Sequence, residues 1–429
     1  MHIRIIWITA ILVFLILVRA QAIDVPESTV SRVYSEHIKT VQMYRAGWVL
    51  SNPVMTLGTD EQLVFSFDDL SGKQRDYYYT FFHCDRNWKV SSMAQQEYFE
   101  SFTEFPVNDF EYSVNTTVPY TNYMLRIPNE DAPIVFSGNY LLVVYDRDEP
   151  SVPIVTWRFY VVEPLVSVNA RIRPAMFGSE GIDGQEVDFV VDCASFNMDN
   201  PASDVKVVVQ QNNRTDNQSD DLKPLFMSNN VLEYDYNSSN VFPGVNEFRL
   251  FIFRDIRHPG RGVNQIEYNE PFYHVSLENN QPRSNTRYNY REDINGNYQV
   301  EIVNREYPET EADYLLVHFT LDMPQPLLGG GIYIFGKLSN WECSEAFKMR
   351  YNMDLKRYEH SLLLKQGVYN YMFAYRDDFS GQIKAYNIEG SHSETENDYR
   401  IFVYYGRITD RYDRLIGYNR FNSSTNRSY

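Results

Sequence analysis

Short runs of β-branched and aromatic residues recur along almost the whole chain, and no long amphipathic helical period separates them. Leu63 to Phe67, Tyr77 to Phe82, Tyr140 to Tyr145 and Trp157 to Val162 form a first group. Val166 to Val168, Glu186 to Asp192, Val205 to Gln210, Glu247 to Phe253 and Phe272 to Leu277 form a second. Leu315 to Leu321, Gly331 to Gly336, Tyr358 to Leu364 and Val368 to Tyr375 form a third. Parallel α/β architectures need a helix between successive strands, so this pattern argues against them. The expected fold class is all-β, a string of three immunoglobulin-like β-sandwich domains after a signal peptide. Aromatic residues make up 15% of the chain, with 34 Tyr and 27 Phe, which suits half-buried pleated surface. Tyrosine suits protein interfaces equally well, so composition does not separate the two uses. Only Ser92 to Phe102 carries the pattern of a short helix.

The start of the chain sets the compartment. His2 and Arg4 precede an apolar run from Ile5 to Val18, followed by Arg19 and the small-residue pattern Ala20-Gln21-Ala22. This order of charge, apolar stretch and small residues predicts a signal peptide over residues 1–22. The run is short of the roughly 20 residues that a membrane span needs. A soluble, extracytoplasmic protein without direct membrane insertion is therefore expected. Punctuation by polar, proline-bearing segments predicts a first sandwich over 23–163 and a second over 164–310. A third follows over 311–405, with a polar C-terminal tail over 406–429 whose ending, Phe421 to Tyr429, is expected to be disordered. Asn295-Gly296 between Tyr288/Tyr290 and Tyr298/Val300/Ile302 predicts a hairpin at the end of the second domain.

Charge and cysteine usage narrow the partners. The net charge is −18, and removal of the leader takes away Arg4 and Arg19 but no acid. Such a surface repels nucleic acid and anionic headgroups, and its partners would be neutral or basic protein surfaces. Cys84, Cys193 and Cys343 are an odd number at wide spacing, which excludes a disulfide framework and a compact zinc knuckle. A single long-range bridge stays open.

The one stretch that looks chemical is Tyr77 to Trp88, where an aromatic run closes on His83, Cys84, Asp85 and Trp88. In a strand, His83 and Cys84 face apart, so adjacency argues against a catalytic dyad. The expectation is an aromatic strand entering a loop that Trp88 pins to the core. Gly329-Gly330-Gly331 is followed by an apparent strand and by no Lys-Ser/Thr, so it reads as a turn and not a phosphate cradle. The eight His residues include no pair at metal-binding spacing, and the acidic pairs do not continue into a calcium loop. No catalytic constellation, metal site or cofactor is expected.

Two resemblances add to this reading. Gly336 to Trp341, Met349, Tyr358 and Leu364 to Phe373 resemble the early-set immunoglobulin-like fold of glycogen-binding modules, which stack sugars on exposed Trp and anchor hydroxyls with Lys. Tyr358 stands where a second Trp is expected, so the resemblance implies a retained fold and a vestigial glycan site at Lys337, Trp341 and Tyr358. A periplasmic glycan-binding protein is the alternative function.

The second resemblance covers most of the chain after the leader. His83-Cys84-Asp85 with Trp88 is followed by Ser113 to Thr116, Tyr120-Thr121, Tyr123 and Pro128-Asn129, then by Ser137-Gly138-Asn139-Tyr140-Leu141-Leu142. Gln210 to Arg214, Lys223-Pro224, Asn246 to Arg249, and Asp293 with Asn295-Gly296 continue in order. Together they resemble the periplasmic plug proteins of the type IX secretion translocon of Bacteroidota. Arg86-Asn87, Asn122 and Trp157 depart from the family pattern. The resemblance implies a non-enzymatic periplasmic plug that seals a large outer-membrane β-barrel through reversible protein contact. His83, Cys84, Asp85, Trp88, Ser137, Gly138, Asn139 and Tyr140 become structural or contact candidates.

Overall fold

The computed structural model describes residues 26–426 except 100–101, 176–182, 221 and 236–237. The expected signal peptide lies outside the described residues. The described chain is predominantly β-strand, organised around three principal hydrophobic cores. No helix among the described residues is long and apolar enough to cross a membrane.

The first unit contains β1 (Arg32–Val33), β2 (Ile38–Arg45), β3 (Val54–Thr56), β4 (Leu63–Asp69), β5 (Tyr77–Cys84), β6 (Phe105–Pro106), β7 (Asp109–Tyr112), β8 (Thr121–Ile127), β9 (Gly138–Asp146) and β10 (Pro153–Val162). One sheet runs β1-β10-β9-β5-β6 with β3 on β10, the other β2-β4-β8-β7, and both contribute to one core. The run Tyr140 to Tyr145 is continuously apolar because β9 is covered on both faces. Tyr140, Leu142 and Val144 face the unit's own core, whereas Leu141 and Val143 face a second cluster shared with the end of the chain. Gln95–Tyr98 forms a single helical turn within the segment expected to be helical.

The second unit begins with β11 (Ser167–Pro174), β12 (Gly184–Asp192), β13 (Val205–Gln211), β14 (Phe226–Ser228), β15 (Val231–Tyr234) and β16 (Val241–Pro243). The chain then leaves it for the third unit: β17 (Arg249–Ile252), β18 (Val263–Asn269), β19 (Phe272–Leu277), β20 (Tyr298–Val300), β21 (Tyr314–Asp322), β22 (Gly330–Phe335), β23 (Arg350–Asn352), β24 (Arg357–Lys365), β25 (Gly367–Asp377) and β26 (Ile383–Lys384). In β21 the alternation is clean, with Leu315, Val317, Phe319 and Leu321 in the core and the residues between them facing out. Finally β27 (Asp398–Tyr405) and β28 (Arg414–Asn422) return to the second unit as the sheet β13-β27-β28.

This nesting corrects three expectations. The packing does not change hands near residue 310, because Phe251, Phe253, Val275, Leu277 and Tyr298 already belong to the third core. Residues 406–426 are not a mere tail, and the expected disorder does not begin at Phe421: β28 pairs with β27 along its length and buries Ile416 and Phe421 in the second core. Its polar composition misled because its outward positions are hydrophilic while Leu415 and Ile416 are fully covered. The Asn295-Gly296 turn forms, with both residues at positive φ, but the hairpin does not. Tyr298–Val300 takes β25 as its partner instead, while Tyr288 turns its hydroxyl to Glu247.

Candidate functional site: a motif that joins two units

β5 and β9 lie side by side, and their register sets His83 opposite Tyr140 and Cys84 opposite Asn139. The two sequence motifs, more than fifty residues apart, are thus one structural element. β5 ends in a tight loop that Asp85 builds: its carboxylate accepts the Asn87 and Lys89 amides, each at 2.9 Å, and its carbonyl accepts the Trp88 amide at 2.9 Å. Trp88 takes a left-handed conformation with φ of 64°. Its ring meets Tyr160 edge-on at 5.3 Å and carries the Arg158 guanidinium at 4.1 Å.

His83 is 0% exposed. Its Nε2 bonds the Ser137 carbonyl at 3.2 Å, and its ring is packed edge-on against Tyr140 at 5.0 Å and Tyr412 at 5.3 Å. Gly138 is required beside it, because a Cβ there would fall 2.4 Å from His83 Nε2 at a φ of 143°. The Tyr140 hydroxyl donates to the Phe136 carbonyl at 2.9 Å. Burial lowers the His83 pKa to about 4 and raises that of the Cys84 thiol to about 12. Near neutral pH the imidazole is uncharged and the thiol is protonated. The two side chains face apart, so they make no nucleophile and base.

The opposite face of this element receives the end of the chain. Cys84, Phe82, Trp88, Leu141 and Tyr160 pack with Phe402, Tyr404 and Leu415 of β27 and β28. The Asn139 amide donates to the Asp85 carbonyl at 3.0 Å, and its oxygen accepts the Tyr404 hydroxyl at 2.9 Å. Asp413 accepts the Arg86 amide at 3.1 Å. The motif residues therefore form the seat on which the second unit is fixed to the first.

The expected sugar residues are not brought together as a platform. Trp341 is 6% exposed and held edge-on between Phe248 and Phe335, at 5.9 and 5.3 Å. Tyr358 is buried in the third core against Tyr351, and its hydroxyl accepts the Leu327 amide at 2.8 Å. Lys337 turns toward the first unit, its ammonium 4.8 Å from the Trp157 ring. Sugar stacking needs an open aromatic face, which neither ring offers.

Two buried charge networks carried no local signal in the sequence. Glu389, whose side chain is buried, takes two bonds of 3.0 Å from Arg249 and one of 2.7 Å from Arg283, and is held down at about 2 against its own desolvation by these two guanidinium groups. Asp68 and Lys365 pair between the first and third units. A third cluster, Glu186, Asp188 and Asp235, has the spacing of a metal site. The Arg173 guanidinium instead sits among these carboxylates, 2.9 Å from Glu186 and 2.7 Å from Asp188, and supplies the cation.

Residues 38–163 match the family described as type 9 secretion system plug protein, 1st domain. A crystal structure of a hypothetical protein from Parabacteroides merdae superposes with a TM-score of 0.89 at 36% identity, over 92% of this chain and 100% of that one. A Pseudomonas fluorescens alkylpurine DNA glycosylase reaches only a TM-score of 0.18 at 10% identity over 29% of this chain and 30% of that one, and carries no argument. Among curated proteins none matches. The matched segment contains the whole β5–β9 seat, and a relative of this identity spans nearly the full chain: the protein belongs to the type 9 secretion system plug family.

Proposed function

We propose that the protein reversibly seals the periplasmic mouth of the outer-membrane translocon barrel between export events, a finer reading of the translocon-associated, non-enzymatic plug role that family membership gives it. The observation that carries the reading is the match of residues 38–163 to the plug protein's first domain. The physical case is one of stiffness. A barrel wide enough for folded cargo leaks unless its stopper keeps its shape, and three units that hinged freely would not. Here the units share buried contacts: the Cys84 cluster joins the first to the second, and Asp68 with Lys365 joins the first to the third. We further read the three units as immunoglobulin-like sandwiches in the periplasm. Cargo or an accessory subunit would compete with the plug for the mouth, which makes sealing reversible. Gentle affinity purification from the cell envelope should recover a large outer-membrane barrel, and deletion should raise outer-membrane permeability. Recovery of no barrel together with unchanged permeability overturns the reading.

A further inference from the structure

A cavity of about 130 Å3 lies where the three units meet. β10 supplies Trp157 and Arg158 to its wall, β27 supplies Arg400, and the turn after β22 supplies Lys337, Asn340 and Trp341. Three of these side chains are cationic, and none is in an ion pair among the described residues. The one carboxylate in the lining, Glu342, is drawn to Arg32 at 3.2 Å.

The donors here outnumber the acceptors. Arg158 Nε donates to the Thr29 carbonyl at 2.5 Å and Arg400 Nη2 to Gln210 at 2.7 Å. The Lys337 ammonium and the terminal nitrogens of Arg158 find no acceptor among the described residues. Arg400 is 4% exposed and its Nε is without a partner, as is the buried indole N–H of Trp341. Aromatic rings lie against each cation: Trp88 at 4.1 Å from Arg158, Trp157 at 4.8 Å from Lys337, Phe402 at 5.5 Å from Arg400. They soften the burial of charge but supply no oxygen to the N–H groups. Arg400 Nε and the Trp341 N–H, buried and left open in this way, mark the place of an unseen acceptor, and the half-buried Lys337 and Arg158 add their charge to the same wall.

We propose that this cavity is a binding site for a small phosphate-class oxyanion, held by Arg158, Lys337 and Arg400. Guanidinium forks match the paired oxygens of such an anion, and a dianion offsets three cations better than a monoanion does. A single water needs about 10–15 Å3 by the same measure, so the cavity has ample room for such an anion. The shared chemistry is the phosphate group, whether as free phosphate or on a phosphomonoester. The site draws nothing from the plug reading and stands apart from it. Its occupant would tie β10, β27 and the turn after β22 together.

Lys337 gives the site a pH signature. Burial, with Arg400 adding, lowers its pKa to about 8. The other titratable or charged groups around the cavity are Tyr44, Arg158, Tyr160, Tyr298, Glu342 and Arg400. An anion favours the ammonium form, so binding takes up a proton and weakens as pH rises through about 8.

Isothermal titration of the purified protein with sulfate, inorganic phosphate and glycerol phosphate, in chloride at constant ionic strength, tests the proposal. Sulfate keeps its charge over this range, so its pH profile reports the protein. One site per chain is expected, weakened at least about tenfold in Lys337→Met, with the loss of sulfate affinity above pH ~8 absent from that variant. Arg158→Gln, checked for folding by circular dichroism, should weaken binding as well. Equal binding of both phosphates, or binding of glycerol phosphate alone, supports the site and separates a free from a carried group. No saturable heat with any of the three, or equal binding in both folded variants, overturns it.

Discussion

The Lys365 ammonium lies 2.7 Å from the Asp68 carboxylate, with the two residues 1% and 0% exposed and contributed by different units. Further bonds hold the pair: the Tyr314 hydroxyl donates to Asp68 at 2.6 Å, the Asn122 amide at 2.7 Å, and Lys365 also donates to the Glu309 carbonyl at 2.6 Å. Asn122, one of the departures from the family pattern, is thus a partner of the inter-unit charge. Removing one member of such a pair leaves an uncompensated buried charge, at a cost of about 3–5 kcal/mol. Lys365→Met should lose stability on that scale in urea unfolding. The double variant Lys365→Met with Asp68→Asn should lose less than the sum of the two single changes.

Gly138 is held at a φ of 143°, and a Cβ there would meet His83 Nε2 at 2.4 Å. The ring cannot swing away, because Tyr140 and Tyr412 hold it edge-on. Gly138→Ala should therefore lower stability by about 1–3 kcal/mol, the scale of overpacking or of a strained backbone site. In a His83→Ala background the same change should cost measurably less, since the clashing atoms are gone. Equal costs in both backgrounds would place the penalty in the backbone alone.

The His83 pKa lies at about 4, below its ordinary 6.5, because burial disfavours the imidazolium. The unfolded chain therefore binds a proton more readily than the folded one between these values, and stability rises with pH across the window. The contribution is fully present above pH 6.5 and is lost as pH falls through about 4. Its size is about 3 kcal/mol by the usual conversion of a pKa difference. Unfolding free energies measured across this window should show the slope in the wild type. A smaller slope is expected in His83→Gln, and an unchanged one would assign the pH dependence to other groups.

The all-β class was legible because period-two alternation is a local property: β21 shows it in its sequence and in its burial alike. The separation of His83 from Cys84 was legible for the same reason. The sugar residues illustrate the limit. Trp341 and Lys337 sit in a recognisable local pattern, yet what covers Trp341 is Phe248, from a segment assigned by sequence to the preceding domain. Asp68 and Lys365 are separated by nearly three hundred residues and stand in unremarkable strand contexts. Pairing across units depends on how the chain nests, and nesting leaves no periodic trace. The return of β27 and β28 to the second unit is the clearest case.

That return yields the last prediction. Truncation after Tyr405 would remove β28, which pairs with β27 from Asp398 to Tyr405. Ile416 and Phe421 would be lost from the second core and Leu415 from the cluster around Cys84. Burial of one large apolar side chain is worth about 1.5–3 kcal/mol, so three of them rival the 5–15 kcal/mol that holds a typical domain together. The Glu163 amide, which bonds the Leu415 carbonyl at 2.9 Å, would lose its acceptor at the passage from the first unit to the second. The truncated chain should expose the second unit to trypsin while the core of the first, built from β2 to β10, resists longer. A dispensable tail would leave the digestion pattern unchanged, so limited proteolysis of the two chains distinguishes a closing strand from an appendage.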